Sequence, residues 1–191
     1  MADDAFDQVR AEELLSQFLE EIGFVGDPEL DVTAERVTEF LRSMRPGTSP
    51  PTLERVPTAS SDPVMLTAIP FHSLCAHHLL PFFGEATVAI MPSGEIAGFG
   101  GVARVIASLA ARPQIQERLT AQIAEELLQQ LNATAVVVEL RARQLCMEMR
   151  GAKCQGASVT FASRGDGAAQ AQLERFLHRA TLGNAGSDQA T

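Results

Sequence analysis

The chain has 191 residues, of which 46% are hydrophobic, and a formal net charge of −9. This length favours a single domain with a core large enough to be stable without a disulfide or metal staple. The sequence contains no cluster of Lys and Arg, which argues against a duplex-binding protein, and its apolar runs are too short to span a membrane. A nucleotide ligand stays open, because a few placed arginines are enough to bind phosphates.

The first part of the chain has helical periodicity. Apolar residues recur with a period near 3.6 over residues 5–23, and Gly23 ends the pattern. A second helix is predicted over about 33–44, with Thr33 as its N-cap. Residues 45–63 are rich in Pro, Ser and Thr and are predicted to form a loop.

From residue 64 onward, segments with the strand period alternate with helical ones. The predicted elements are strands over 64–71 and 85–91, helices over 102–111 and 115–131, strands over 134–142 and 157–163, and a helix over about 168–180. Strands in adjacent pairs favour an antiparallel sheet with helices on one face, an α+β fold. We expect this domain over 64–182, after an N-terminal helical extension and loop over 1–63, with a disordered tail over 183–191.

The stretch Phe71–Phe82 concentrates candidate metal ligands. Cys75, His77 and His78 lie within four residues of one another. A thiolate and imidazoles form a ligand set that suits zinc. Cys146 is the obvious further donor, and three protein ligands with one open position are typical of a catalytic rather than a structural zinc site.

Two other interpretations of these cysteines stay open. Buried cysteine is common and is often chemically inert. A disulfide between Cys75 and Cys146 is the competing pairing. The N-terminal residues lack the pattern of a signal peptide, so we expect a reducing compartment, the cytoplasm, where such a disulfide is disfavoured.

Several motifs together resemble the GTP cyclohydrolase I family. Cys75–Phe82 matches its Cys-Glu-His-His-Leu-Leu-Pro-Phe stretch at every position except Ala76. Arg112–Thr120 is nearly identical to its Arg-Pro-Gln-Val-Gln-Glu-Arg-Leu-Thr stretch, and Cys146–Gly151 matches its Cys-Met-x-x-Arg-Gly stretch. The resemblance covers about residues 5–180, and the order of the motifs makes it more specific than any one of them.

This resemblance implies a fold, an assembly and an activity. The fold is the tunnelling fold, in which subunits join their antiparallel sheets into a barrel. Five subunits form a ring, two rings stack into a homodecamer, and the active sites lie between subunits. The activity is a step of pterin and folate biosynthesis, in which a zinc-activated water attacks C8 of GTP, opens the imidazole ring and allows it to be rebuilt as a pterin.

The resemblance also implies roles for residues near the metal. Cys75, His78 and Cys146 are the implied zinc ligands. His77 is the implied acid/base that protonates the purine, a task that suits an imidazole titrating near neutral pH. The alternative for His77 is a residue that only supports a ligand or faces solvent.

Substrate contacts are implied in the same way. Glu117 is expected to pair with N1–H and the amino group of guanine, two donors that match two carboxylate oxygens, and Gln116 beside it with O6 or the amino group. The alternative for Glu117 is a solvated residue in the first turn of a helix. Arg104 and Arg150 are the implied triphosphate contacts.

The chain departs from the family at several positions. Gln144 stands where the family has a His two residues before its second cysteine, and Gln cannot transfer a proton at neutral pH. Gly100 and Gly101 replace a Ser and a phosphate-binding Lys, although their backbone N–H groups are able to hold a phosphate. Ala76 and Thr87 replace a family Glu and His.

These departures lead to a specific functional hypothesis. We expect a zinc hydrolase that opens the imidazole ring of a guanine nucleotide, with GTP as the expected substrate, and that stops at a ring-opened pyrimidine. One alternative is a full GTP cyclohydrolase I that makes dihydroneopterin triphosphate. Another is a zinc-binding paralog that acts on a different purine or pterin, or that regulates a true cyclohydrolase.

Overall fold

The structure is a computed structural model that describes residues 6–45 and 49–184. The described residues up to Arg45 form one compact unit, and those from 49 onward form a second. Among the described helices, none has the length and apolar character needed to cross a membrane.

The N-terminal unit is helical, as its periodicity predicts. Helix α1 spans Gln8–Glu21, a 3-10 helix spans Pro28–Leu30, and α2 spans Thr33–Ser43. The Asp7 side chain caps α1 by accepting a hydrogen bond from the backbone N–H of Arg10. The predicted cap of α2 is wrong by one residue, because Val32 occupies the N-cap position and provides no side-chain hydrogen bond.

The second unit contains the predicted long strands and helices together with several shorter elements. In chain order they are β1 Arg55–Pro57, β2 Val64–Cys75, β3 Pro81–Met91, β4 Glu95–Ala97, α3 Phe99–Ala110, β5 Pro113–Gln114, α4 Gln116–Leu131, β6 Ala135–Gln144, α5 Leu145–Glu148, β7 Ala157–Gly165 and α6 Gly167–Asn184. Strand β1 lies inside the predicted loop and pairs with β4. Helix α3 begins three residues earlier than predicted, so Gly100 and Gly101 lie in its first turn.

The main sheet has the strand order β5-β2-β3-β6-β7. Its neighbours are antiparallel except β5, which pairs with the end of β2 in parallel. Strand β3 is central, with a hairpin partner, β2, on one side and β6 on the other. The α+β class and the antiparallel sheet predicted from the sequence are confirmed.

Helices α3 and α4 cover one face of the sheet, as predicted. Alternate residues of β3 and β6, among them Val88 and Val138, are fully buried against these helices. Helix α6 differs from the prediction because it packs on the opposite face, where Leu173 contacts the cluster formed by Ala89 and Val137. Both faces of the paired strands β3 and β6 carry apolar residues, so helices are needed on both faces.

The end of the chain was predicted to be a tail over 183–191. Helix α6 continues to Asn184, so the first two of these residues are helical. The remainder, 185–191, lies outside the described residues.

Strand register brings three distant segments to one end of the sheet. Leu74 pairs with Pro81 across the β2–β3 hairpin, and Phe82 pairs with Gln144 of β6. Gln114 pairs with Cys75, which places the start of α4 at the same end. The turn after β2, the helix α5 after β6 and the first turn of α4 are therefore neighbours.

Gly84 permits the close pairing of β3 with β6. A Cβ atom at this position would lie 1.9 Å from the backbone oxygen of Arg141. We expect Gly84→Ala to force the two strands apart and to lower the free energy of unfolding by on the order of 3 kcal/mol. Urea unfolding would measure the loss. Gly156→Ala is the matched control, because no atom lies within 4 Å of its Cβ position; equal stability of both variants would contradict the steric argument.

Candidate metal centre

Three ligand atoms converge at this end of the sheet. Cys75 is the last residue of β2, His78 lies in the following turn, and Cys146 lies in α5. Their ligand atoms all lie within 4.8 Å of one another. Cys75 Sγ is 3.7 Å from Nδ1 of His78, whose Nε2 contacts Arg150. Cys75 is buried, Cys146 is partly buried and His78 is exposed, so the cluster is open to solvent on the histidine side.

The chemistry of these donors fits zinc. Cys75 and Cys146 are free thiols, so the competing disulfide is not formed. Burial, followed by the hydrogen bond and the charge of neighbouring Cys75, raises the pKa of the Cys146 thiol. Metal ligation requires thiolates, and a bound cation offsets the repulsion between two adjacent sulfur charges. Two thiolates and one imidazole leave a tetrahedral ion one open position.

His77 lies beside the cluster but outside its ligand set. Its Nδ1 is 3.8 Å from Cys75 Sγ, and its ring centroid is 6.1 Å from that of His78. The side chain is exposed. The imidazole is therefore accessible to a ligand bound in front of the cluster.

An ion pair that sequence analysis missed holds the helix carrying Cys146. Arg143 donates to both carboxylate oxygens of Glu148, at 3.0 and 2.5 Å, and its guanidinium lies over the Phe83 ring at 5.7 Å. The hydrogen bond from Arg143 lowers the pKa of Glu148. The pair joins the end of β6 to the end of α5, across the segment that contains Cys146. Arg143 lies outside the motifs, and Glu148 occupies an unspecified position of the Cys-Met-x-x-Arg-Gly stretch, so neither residue indicated this contact.

Three polar side chains behind Cys146 form what we call the amide network: Gln116, Gln144 and Ser158. Gln116 is only 3% exposed and donates to Leu140 O at 2.9 Å and to Ser158 O at 3.1 Å. Gln144 donates to Gln116 Oε1 at 2.7 Å. Ser158 was not predicted as a site residue, although the alternation of β7 places it on the face toward α4.

Glu117, the other predicted guanine contact, lies in a different environment from the buried Gln116. Glu117 lies in the first turn of α4 and is exposed. Among residues 6–45 and 49–184 its carboxylate has no hydrogen bond or ion pair. The amide of Gln116, by contrast, is already occupied by partners in β6 and β7.

The predicted phosphate contacts fall into two groups. Arg150 lies at the metal cluster, next to His78. Arg104 lies beside Gly100: a Cβ atom added to Gly100 would lie 3.5 Å from the Arg104 guanidinium. Gly100 and residues 65–70 of β2 line one groove of about 470 Å³. Cys75 is five residues beyond this segment, about 16 Å away at roughly 3.3 Å per residue.

The fold and the cluster define an α+β protein with a candidate Cys-His-Cys metal centre. Comparison with known proteins identifies its family. The family model for GTP cyclohydrolase I matches residues 11–180. The chain is 40% identical to GTP cyclohydrolase 1 of Carboxydothermus hydrogenoformans over 166 residues, covering 83% of this chain and 86% of that protein.

Other relatives give the same result. Identity is 37% over 180 residues with GTP cyclohydrolase 1 of Bacillus subtilis, covering 88% of this chain and 94% of the relative. It is 36% over 176 residues with GTP cyclohydrolase 1 of Hyperthermus butylicus, covering 91% and 90%. The chain belongs to the GTP cyclohydrolase I family, and the resemblance inferred from its motifs is confirmed.

The ligand assignment predicts the effect of removing one sulfur. We expect Cys146→Ala to lose most of its bound zinc, because two remaining protein ligands leave half of a tetrahedral shell to solvent. Metal analysis after dialysis would measure zinc per chain. Cys154→Ala is the matched control, since Cys154 is an exposed thiol outside the cluster. Full zinc content in Cys146→Ala would remove Cys146 from the ligand set.

Proposed function

We propose that this chain is a zinc-dependent hydrolase that opens the imidazole ring of a guanine nucleotide at C8. The observation that carries the proposal is the convergence of Cys75, His78 and Cys146 within 4.8 Å in a member of the GTP cyclohydrolase I family. A zinc ion held there supplies an activated water for hydrolysis. Incubating the zinc-loaded chain with GTP, GMP and guanosine, with products identified by mass, tests the activity and the number of phosphates required.

His77 is the proposed proton donor to the purine. It is exposed, and its Nδ1 lies 3.8 Å from a proposed ligand atom. A group that protonates the imidazole ring of the substrate must stand beside the metal without being occupied by it. Imidazole is also a common general acid and base in enzymes that work near neutral pH, which suits this role.

Glu117 is the proposed reader of the guanine edge. Its exposed carboxylate, without a hydrogen bond or ion pair among the described residues, keeps both oxygens available for the two adjacent donors of guanine. Gln116, its neighbour, was also predicted to contact the base. Its engaged amide supports a role behind the site, where it fixes the position of Gln144.

The separation of the phosphate contacts supports a site shared between subunits. Arg150 is adjacent to the proposed metal ligands, whereas Gly100 lines the groove near the opposite end of β2, with Gly101 and Arg104 beside it. Such a separation is expected where the groups that bind one triphosphate come from two chains. We propose that a second copy supplies the Arg104 group, in a homo-oligomer of two stacked five-membered rings.

Gln144 underlies the proposed outcome of the reaction. Proton transfers that follow C8 attack require a group that gains and loses protons, and a neutral amide does neither at pH 7. The chain therefore yields mainly a ring-opened pyrimidine. The alternative is complete conversion to dihydroneopterin triphosphate, with another group, such as a water molecule, carrying these protons.

Base selectivity follows from the role of Glu117. We expect guanine nucleotides to bind and inosine nucleotides, which lack the amino group, to bind weaker by a factor of 10² or more, since one carboxylate oxygen is left without a donor. Competition binding of GTP and ITP to the zinc-loaded chain would measure the ratio. In Glu117→Ala the two affinities should become similar. Equal affinities in the unmodified chain would remove Glu117 from the base site.

Product identity depends on residue 144. A positioned acid/base contributes about 10²–10⁴-fold to a rate. We expect the unmodified chain to accumulate a ring-opened pyrimidine with little pterin, and Gln144→His to gain pterin formation. Pterin fluorescence, followed beside mass detection of the open-ring species, separates the two outcomes. Gln144→Leu is the control that changes the side chain without adding an acid/base. Rapid pterin formation by the unmodified chain would contradict the proposal.

A further inference from the structure

The donors and acceptors of the amide network are determined one after another, starting from the backbone. Gln116 Nε2 lies near two carbonyl oxygens, at 2.9 Å from Leu140 O and 3.1 Å from Ser158 O. Carbonyl oxygens only accept, so this end of the Gln116 amide must be the NH2 group. Its Oε1 is therefore the end that faces Gln144 and the Ser158 hydroxyl.

The orientation of Gln144 follows from that of Gln116. Gln116 Oε1 accepts from Gln144 Nε2 at 2.7 Å and from Ser158 Oγ at 2.5 Å, which uses both of its lone pairs. If the Gln144 amide were flipped, two amide oxygens would face each other and a buried acceptor would lose a donor, which is unfavourable. Gln144 must therefore turn its own Oε1 away from Gln116. That oxygen lies 4.0 Å from Cys146 Sγ.

We propose that Gln116 and Ser158 are positioning residues that hold Gln144 with its amide oxygen toward the metal centre. Gln144 then offers a hydrogen-bond acceptor at this centre and no donor. The inference rests on the proposed function and deepens it. A Cys146 thiolate is also an acceptor, so the Gln144 oxygen is available to an incoming donor, either a water molecule or an N–H or O–H of the nucleotide. Gln144 orients that donor beside Cys146.

The network predicts that residues without a proposed contact to the substrate affect Gln144. Without Gln116 or the Ser158 hydroxyl, the Gln144 amide is free to rotate. The test compares Gln144→Leu with Gln116→Leu and Ser158→Ala. Thr160→Val is the matched control, because Thr160 lies two residues along β7 and its Oγ1 is 2.6 Å from Thr120 of α4. It removes a β7–α4 hydrogen bond but none of the hydrogen bonds made by the three side chains of the amide network.

The first measurement uses cobalt(II) in place of zinc, because its visible spectrum depends on ligand geometry and needs no substrate. We expect Gln116→Leu and Ser158→Ala to shift the spectrum in the same direction as Gln144→Leu, while Thr160→Val keeps the native spectrum. The double variant Gln116→Leu/Gln144→Leu should match Gln144→Leu, because no amide remains to be oriented. Ser158→Ala removes one hydroxyl only, so it provides the test if Gln116→Leu does not fold.

The second measurement is ring opening of GTP by the zinc-loaded chain. We expect kcat to fall roughly tenfold in Ser158→Ala and Gln116→Leu with little change in KM, since an interaction that orients a reacting group acts in the transition state. A native cobalt spectrum in both Gln116→Leu and Ser158→Ala would overturn the proposal. Spectral effects of Gln116→Leu and Gln144→Leu that simply add in the double variant would overturn it as well. Absence of product from the unmodified chain would instead refute the proposed function, and the cobalt spectra would still decide the role of the network.

Discussion

The candidate metal centre depends on the register between β3 and its two neighbours. Leu74 opposite Pro81 and Phe82 opposite Gln144 place the ends of β2 and β6 side by side. A slip of one residue in β6 would turn the side chains that face α3 and α4 to the opposite face of the sheet and Gln144 away from α4. The apolar pairing of Val88 with Val138 opposes such a slip, since both side chains are fully buried. The core that stabilises the sheet thus also sets where Cys146 lies relative to Cys75.

The polar groups behind the candidate metal ligands extend this same core. Gln116 begins the buried stripe of α4 that continues through Leu119, Ile123 and Leu127. Ser158 faces the same helix from β7, where Thr160 bonds Thr120. Buried polar groups are tolerated only when their hydrogen bonds are satisfied. Each donor and acceptor of the Gln116 side chain has a partner, and the proposed single orientation of Gln144 follows from this satisfied set of hydrogen bonds.

The proposed chemistry divides between buried and exposed groups. Cys75 and the amide network lie in or against the sheet, whereas His77, His78 and Arg150 are exposed on the turn after β2 and the segment after α5. Buried elements give precise geometry, and exposed ones are free to meet the substrate. The Arg104 group near the far end of β2 links the proposed mechanism to the proposed assembly, in which a neighbouring copy supplies this group to the triphosphate.

The sequence by itself determined the class of fold, the family and the candidate ligands Cys75, His78 and Cys146. Helical and strand periods depend on local spacing, and the family motifs are continuous stretches, so both are visible without a structure. Tertiary structure alone decided that α6 covers the opposite face, that Arg143 holds Glu148, and that Ser158 and Gln144 meet the buried Gln116. These contacts join residues from different strands and helices, and their partners depend on register and packing, which a linear pattern does not contain.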